Sequence, residues 1–180
     1  MTAGEHKRVF PQLNSSEEDE ILSECTRLAA PAGTAVLRKG EGTGDLYIVS
    51  DGVFKVYEET GGEDFVLALL NRGDVFGELS FLDGSPRSAC VRAQTDGVLL
   101  RFQRTDFPRL LLKNPYTASR LLFSLASIVS ARLRKADEAL ASLAFDVPEA
   151  SSDEMHMLAA EMHRAVHTEL NLSPESALEF

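Results

Sequence analysis

Six short β-rich runs, each divided from the next by a glycine-bearing turn, constrain this chain more than any other feature. They occupy residues 36–38, 46–49, 53–57, 65–70, 89–93 and 98–102. Between them lie Lys39-Gly40-Glu41, Ser50-Asp51-Gly52, Thr60-Gly61-Gly62-Glu63, Asn71-Arg72-Gly73-Asp74 and Thr95-Asp96-Gly97. Glycine recurs because such turns need positive φ or a close backbone approach. Many short strands at this spacing indicate a sandwich or barrel, not alternating βαβ units. The fold class expected is mainly β, with helices confined to the flanks.

The period changes on either side of the strands. Residues 1–15 read as an N-terminal arm. Ser16, followed by Glu17, Glu18 and Asp19, reads as a helix start, since a hydroxyl caps free amides and early acids suit the helix's positive end. Ile21, Leu22, Cys25, Leu28 and Ala29 then recur at helical spacing until Pro31 and Gly33. After Asp106 a helix start near Pro108 and a break at Asn114-Pro115 lead into a long helical pattern over residues 116–143.

In that long helix Leu122, Leu125, Val129, Leu133, Ala136, Leu140 and Leu143 make one stripe, with Arg132, Arg134, Lys135, Asp137 and Glu138 opposite. Roughly 28 residues would span about 42 Å. The stripe can lie along the chain's own sheet or form a parallel seam with a second copy. Its length favours the seam, so a homodimer is expected. Val147-Pro148-Glu149-Ala150-Ser151-Ser152 reads as a linker, and residues 146–180 as that linker plus a short acidic amphipathic helix. In it Met155, Leu158, Ala159, Met162, Val166 and Leu170 share one face.

Charge narrows the partners. The chain carries 28 acidic and 18 basic residues, a formal net charge of -10, which repels nucleic acid and anionic lipid globally. No long apolar span or secretory leader is visible, so a cytoplasmic protein without membrane attachment is expected. Cys25 and Cys90 form no metal or redox motif. His163 and His167 have zinc-ligand spacing, but Arg164 stands where a metalloprotease places its glutamate. No nucleophile elbow and no Walker lysine are present. The reading is a non-enzyme with no metal and no cofactor.

Chemistry concentrates instead in Gly73-Asp74-Val75-Phe76-Gly77-Glu78-Leu79-Ser80-Phe81-Leu82-Asp83-Gly84-Ser85-Pro86-Arg87-Ser88-Ala89. Here a carboxylate at Glu78 and a guanidinium at Arg87 bracket a turn-rich segment. Arg87 presents fixed paired donors suited to two phosphate oxygens, and Glu78 can accept from a sugar hydroxyl. Ser88 adds a hydroxyl, the Ser88 and Ala89 amides add donors, and Gly77 permits close backbone approach. Leu79 is expected to pack beneath the segment. The plainer alternatives are a surface salt bridge for Arg87, and a turn cap or a pairing with Arg87 for Glu78.

Residues 76–89 of this run resemble the phosphate-binding cassette of the cyclic-nucleotide-binding domain family, within it the bacterial catabolite-activator type. The resemblance extends over residues 16–145. It implies an eight-stranded double-stranded β-helix, a jelly-roll-like β-roll with flanking helices, and a long C-terminal helix that pairs two subunits. It implies ligand contacts from Gly77, Glu78, Leu79, Arg87, Ser88 and Ala89, with Glu78 on the ribose 2'-OH. The family's adenine-reading threonine and serine correspond to Ala136 and Asp137. Ala136 cannot donate to adenine, and Asp137 can accept from an exocyclic amine or a guanine ring donor.

Residues 143–147 resemble the hinge before the activators' DNA-binding domain, but only 32 residues follow Pro148. From Ser151 onward six acidic side chains meet one basic residue, Arg164, so no direct nucleic-acid binding is expected. Two functions stay open. One is a regulatory module that binds a cyclic nucleotide, cAMP before cGMP, and signals through a dimer helix to a protein effector. The other is a dimeric interaction scaffold whose pocket is empty.

Overall fold

The computed structural model describes residues 8–145, with side chains through Ser142. The expected linker, acidic helix, hinge end and His163/His167 pair lie outside the described residues, as do the first seven residues of the arm. Residues 1–133 form one compact unit and residues 134–180 a second.

Among the described residues eight strands form, two more than the β-rich runs of the sequence. They are β1 (Thr26–Ala30), β2 (Ala35–Leu37), β3 (Leu46–Asp51), β4 (Phe54–Thr60), β5 (Glu63–Leu70), β6 (Val75–Phe76), β7 (Cys90–Ala93) and β8 (Gly97–Phe102). They build two four-stranded antiparallel sheets, ordered β1-β8-β3-β6 and β2-β7-β4-β5. The jelly-roll-like arrangement implied by the resemblance is therefore present. Four helices flank it: α1 (Ser15–Ser23), α2 (Glu78–Asp83), α3 (Phe107–Lys113) and α4 (Pro115–Phe145). A single 3-10 turn, Arg104–Asp106, precedes α3.

Strand β3 shows why the sheets take this form. Leu46, Tyr47, Ile48 and Val49 are all buried, which requires cover on both faces of the strand. Tyr47 and Val49 point between the sheets with Leu37, Phe54, Leu70, Phe76, Val91 and Leu99. Leu46 and Ile48 point the other way, toward Phe10, Leu13, Ile21, Phe81, Phe102, Leu121 and Leu125. Alternation along one strand thus feeds two cores.

Two expectations need correction at α1. The cap is Asn14, not Ser16: its side chain accepts from the Glu17 amide while Glu17 reaches back to the Asn14 amide, a full capping box. The helix also stops at Ser23, and Leu28 and Ala29 belong to β1, paired with Leu99 and Val98. A strand partner outweighs helical spacing there. Phe10 and Leu13, inside the segment read as an arm, are fully buried. Glu18 holds that segment by accepting from the Val9 amide at 2.7 Å.

Helix α4 also divides its surface differently from the expected stripe. Thr117, Ala118, Leu121, Ser124 and Leu125 are buried against the chain's own core, so Leu125 leaves the seam. Leu122 and Val129 are half-buried, while Leu133 and Leu140 are 61% and 47% exposed. Among the described residues, α4 therefore leaves part of its apolar stripe uncovered. Among the described residues no helix is long and apolar enough to cross a membrane.

Glu20 ties α1 to the start of α4. Its carboxylate accepts from Asn114 Nδ2 at 3.0 Å and Thr117 Oγ1 at 3.1 Å, with Lys113 at 3.3 Å. Desolvation opposes the charged form, but these donors outweigh it and hold the pKa below the ordinary glutamate value. A lowered folded pKa contributes stability above the unfolded value, and that stability is lost as pH falls through the folded one. Glu20→Ala should lower the thermal midpoint by a few degrees at neutral pH. The difference from wild type should shrink in calorimetric melts as pH falls below the ordinary glutamate pKa.

Candidate functional site

The turn-rich segment folds as a strand, a left-handed glycine, a short helix and a second left-handed glycine. β6 ends at Phe76, Gly77 takes φ 79°, α2 follows, and Gly84 at φ 77° ends it. Gly77 is required on two counts. An added Cβ would sit 2.6 Å from Arg87 Nη1 and 2.8 Å from the Asp45 carbonyl oxygen, on a backbone that side chains disfavour.

Arg87 is only 3% exposed. Its Nε donates to Thr43 Oγ1 at 3.0 Å, Nη1 to the Gly77 carbonyl at 3.1 Å and Nη2 to the Asp45 carbonyl at 2.8 Å. Its backbone is pinned as well, with the Arg87 amide on the Glu41 carbonyl and the Gly40 amide on the Arg87 carbonyl. The guanidinium stands 5.8 Å from the centre of the Tyr47 ring, which stacks on Phe76. Every hydrogen-bond acceptor is neutral, and among the described residues no carboxylate lies within ion-pair distance. Burial pushes the guanidinium pKa down, while Tyr47, Asp45, Glu41 and Glu78 push it back in part. A guanidinium has five N–H donors. Three are engaged, leaving one on each terminal nitrogen, and Arg87 is no surface salt bridge.

Glu78 is 4% exposed and does not pair with Arg87. Its partner is Arg132 of α4, whose Nη1 donates to Glu78 Oε1 at 2.6 Å and whose Nη2 donates to the Val75 carbonyl at 2.5 Å. The sequence pattern places Arg132 on the side of the helix opposite the apolar stripe. Its direction follows from the spacing of Leu121, Leu125, Ile128 and Arg132, steps of four, three and four that continue the core face. Glu78 Oε2 accepts from no described residue.

The other expected residues separate. Ser88 is exposed and Ala89 half-buried at the start of the segment leading into β7. Leu79 does not pack beneath the cassette; it is 42% exposed, and Phe81 fills the buried place against Phe102 and Phe107. Ala136 and Asp137 are exposed positions of α4 in the second unit. Thr43, Asp45 and Arg132 are the residues that sequence reasoning missed. Among the described residues no cluster of metal-ligating side chains occurs.

Residues 27–114 match the family described as "Cyclic nucleotide-binding domain". The chain carries a cyclic-nucleotide-binding domain related to the bacterial catabolite activators. It is 35% identical over 139 residues to the cyclic AMP receptor protein of Thermus thermophilus, covering 77% of this chain and 62% of that protein. It is 29% identical over 121 residues to the type II regulatory subunit of cAMP-dependent protein kinase from Drosophila melanogaster, 67% of this chain and 31% of the relative. The crystal structure of the Thermus thermophilus catabolite activator protein superposes with a TM-score of 0.66 at 35% identity, over 76% of this chain and 63% of that one. The chain therefore spans about three-fifths of the catabolite activator it matches. One of these relatives is a receptor and another a regulatory subunit, in agreement with the reading of a non-enzyme.

Gly77 and Gly84 share a positive φ but differ in surroundings, since a Cβ at Gly84 meets nothing nearer than Arg104 at 3.4 Å. Gly77→Ala should cost about 1–3 kcal/mol from backbone strain plus the displacement of Arg87. Gly84→Ala should cost measurably less, and urea unfolding of the two variants compares them directly.

Proposed function

We propose that this chain is a regulatory module that binds a 3',5'-cyclic nucleotide, with cAMP as the preferred ligand. The observation that carries the reading is the state of Arg87: a buried cation, aimed by neutral acceptors, with two N–H donors uncommitted. Leaving a charge buried without a counter-charge is costly, and an anion that arrives with matching acceptors relieves the cost. Glu78 is held by Arg132, which leaves the Arg87 guanidinium to answer the single charge of a cyclic phosphodiester. Glu78 Oε2 is left to accept from a ribose hydroxyl. The preference for cAMP is supported by the names of the receptor and kinase relatives, and Ala136 and Asp137 are the positions at which base choice would be made.

Output runs through α4. The uncovered face of Leu122, Val129, Leu133 and Leu140 is the seam of a homodimer, and a protein effector, not duplex DNA, receives the signal. Ala136, which offers no donor to adenine, favours the second reading of a dimeric scaffold with an empty pocket.

Isothermal titration with cAMP, cGMP and linear AMP separates the readings. We expect saturable binding of a cyclic mononucleotide and much weaker binding of linear AMP. Arg87→Ala should lose about 2–5 kcal/mol of affinity, as for truncation of a buried charged partner. Saturable binding of none of the three would leave the scaffold. In ultracentrifugation Leu133→Glu should convert a dimer to monomers; a wild-type monomer at micromolar concentration would contradict the seam.

A further inference from the structure

We propose that the segment Thr43-Gly44-Asp45, anchored by Arg104, aims the Arg87 guanidinium and so selects which phosphate oxygen it grips. The inference rests on the cyclic-nucleotide reading above and adds positioning residues to it. A guanidinium is a planar fork, so its orientation decides which of the two exocyclic oxygens of a cyclic phosphate lies in line with its free donors. One of the three acceptors that fix this plane, the Gly77 carbonyl, belongs to the cassette. The other two, Thr43 Oγ1 and the Asp45 carbonyl, come from a segment more than forty positions away in sequence.

That segment precedes β3 and needs an anchor of its own. Asp45 Oδ1 accepts from the Arg104 backbone amide at 3.1 Å, and Oδ2 faces Arg101 Nε at 3.9 Å. Arg101 Nε is buried and makes no hydrogen bond, so the Asp45 carboxylate is the charge that answers it. Arg104 Nε donates to the Phe81 carbonyl of α2 at 2.8 Å, which joins the segment to the far side of the cassette. Gly44 reports how tightly these parts meet: a Cβ there would lie 2.5 Å from Arg104 Cδ and 3.4 Å from the Ser80 carbonyl oxygen. Asp45 thus presents its carbonyl to Arg87 while its side chain is gripped by Arg104, and Arg104 grips α2. The two sides of the phosphate site are set relative to each other through one residue.

The test uses the Sp and Rp phosphorothioate analogues of cAMP, in which one or the other exocyclic oxygen is sulfur. Affinities are measured by calorimetry on the full chain, with circular dichroism as the check of folding. Wild type should separate the two diastereomers by about tenfold or more, the scale of one charge-assisted hydrogen bond. Thr43→Val and Asp45→Ala should bring the ratio to within about threefold of unity. Asp45→Asn keeps an acceptor for the Arg104 amide and should keep the ratio, although losing the charge that faces Arg101 lowers stability. Thr43 is exposed and valine has nearly its shape, so Thr43→Val decides the matter if Asp45→Ala does not fold. A general loss of structure would weaken both analogues alike and leave the ratio unmoved. An unchanged ratio in both variants, or a wild type indifferent to the diastereomers, overturns the positioning role alone. Binding of neither analogue nor of cAMP itself by wild type overturns the cyclic-nucleotide reading, and this inference with it.

Discussion

A positive charge held inside the protein with no carboxylate at ion-pair distance among the described residues is the constraint on which the rest of the site depends. Arg87 is buried, and its three acceptors are a threonine hydroxyl and two main-chain carbonyls. Such a group keeps its place only where the backbone around it is over-determined. The surroundings answer that need. Gly77 takes a left-handed conformation so that its carbonyl, with no Cβ in the way, meets the guanidinium. The turn at Gly40 and Glu41 brackets the Arg87 backbone from both sides. The Tyr47 ring, stacked on Phe76 in the inter-sheet core, lies against the guanidinium.

The same site is joined to the helices by charge. Arg132 reaches Glu78 from α4 and also grips the last strand before the cassette through Val75. At the other end of the helix, Glu20 of α1 accepts from Asn114 and Thr117. Between these two polar ties the helix is seated by Ala118, Leu121 and Leu125 in the second core. On the cyclic-nucleotide reading proposed above, a ligand hydroxyl at Glu78 would act on a carboxylate that the helix already holds. Pocket occupancy would then bear on the seating of α4 without any long-range wire.

What could be read in advance followed from local rules, and what could not depended on distant partners. The turn glycines, the helix break at Asn114-Pro115 and the cassette were visible because backbone conformation and donor chemistry are properties of short segments. β1 was hidden because Leu28 and Ala29 fit a helical period, and only pairing with β8 makes them a strand. β6 was hidden because two residues, Val75 and Phe76, carry no period at all. At the site, Arg87 and Glu78 could be nominated by type. Their actual partners, Thr43, Asp45 and Arg132, lie 44, 42 and 54 positions away. Arg132 lies among charged neighbours, opposite the apolar stripe that runs through Leu133. The stripe through Leu121, Leu125 and Ile128 points to it.

The account turns on whether Arg87 awaits an anion, and the thermal midpoint of the full chain with and without saturating cAMP asks this most directly. A ligand bound only by the folded state at a hundred times its Kd adds about 2.7 kcal/mol of stability. The account predicts a rise of several degrees in wild type, absent in Arg87→Ala. A wild-type midpoint that cAMP and cGMP both leave unmoved would contradict it.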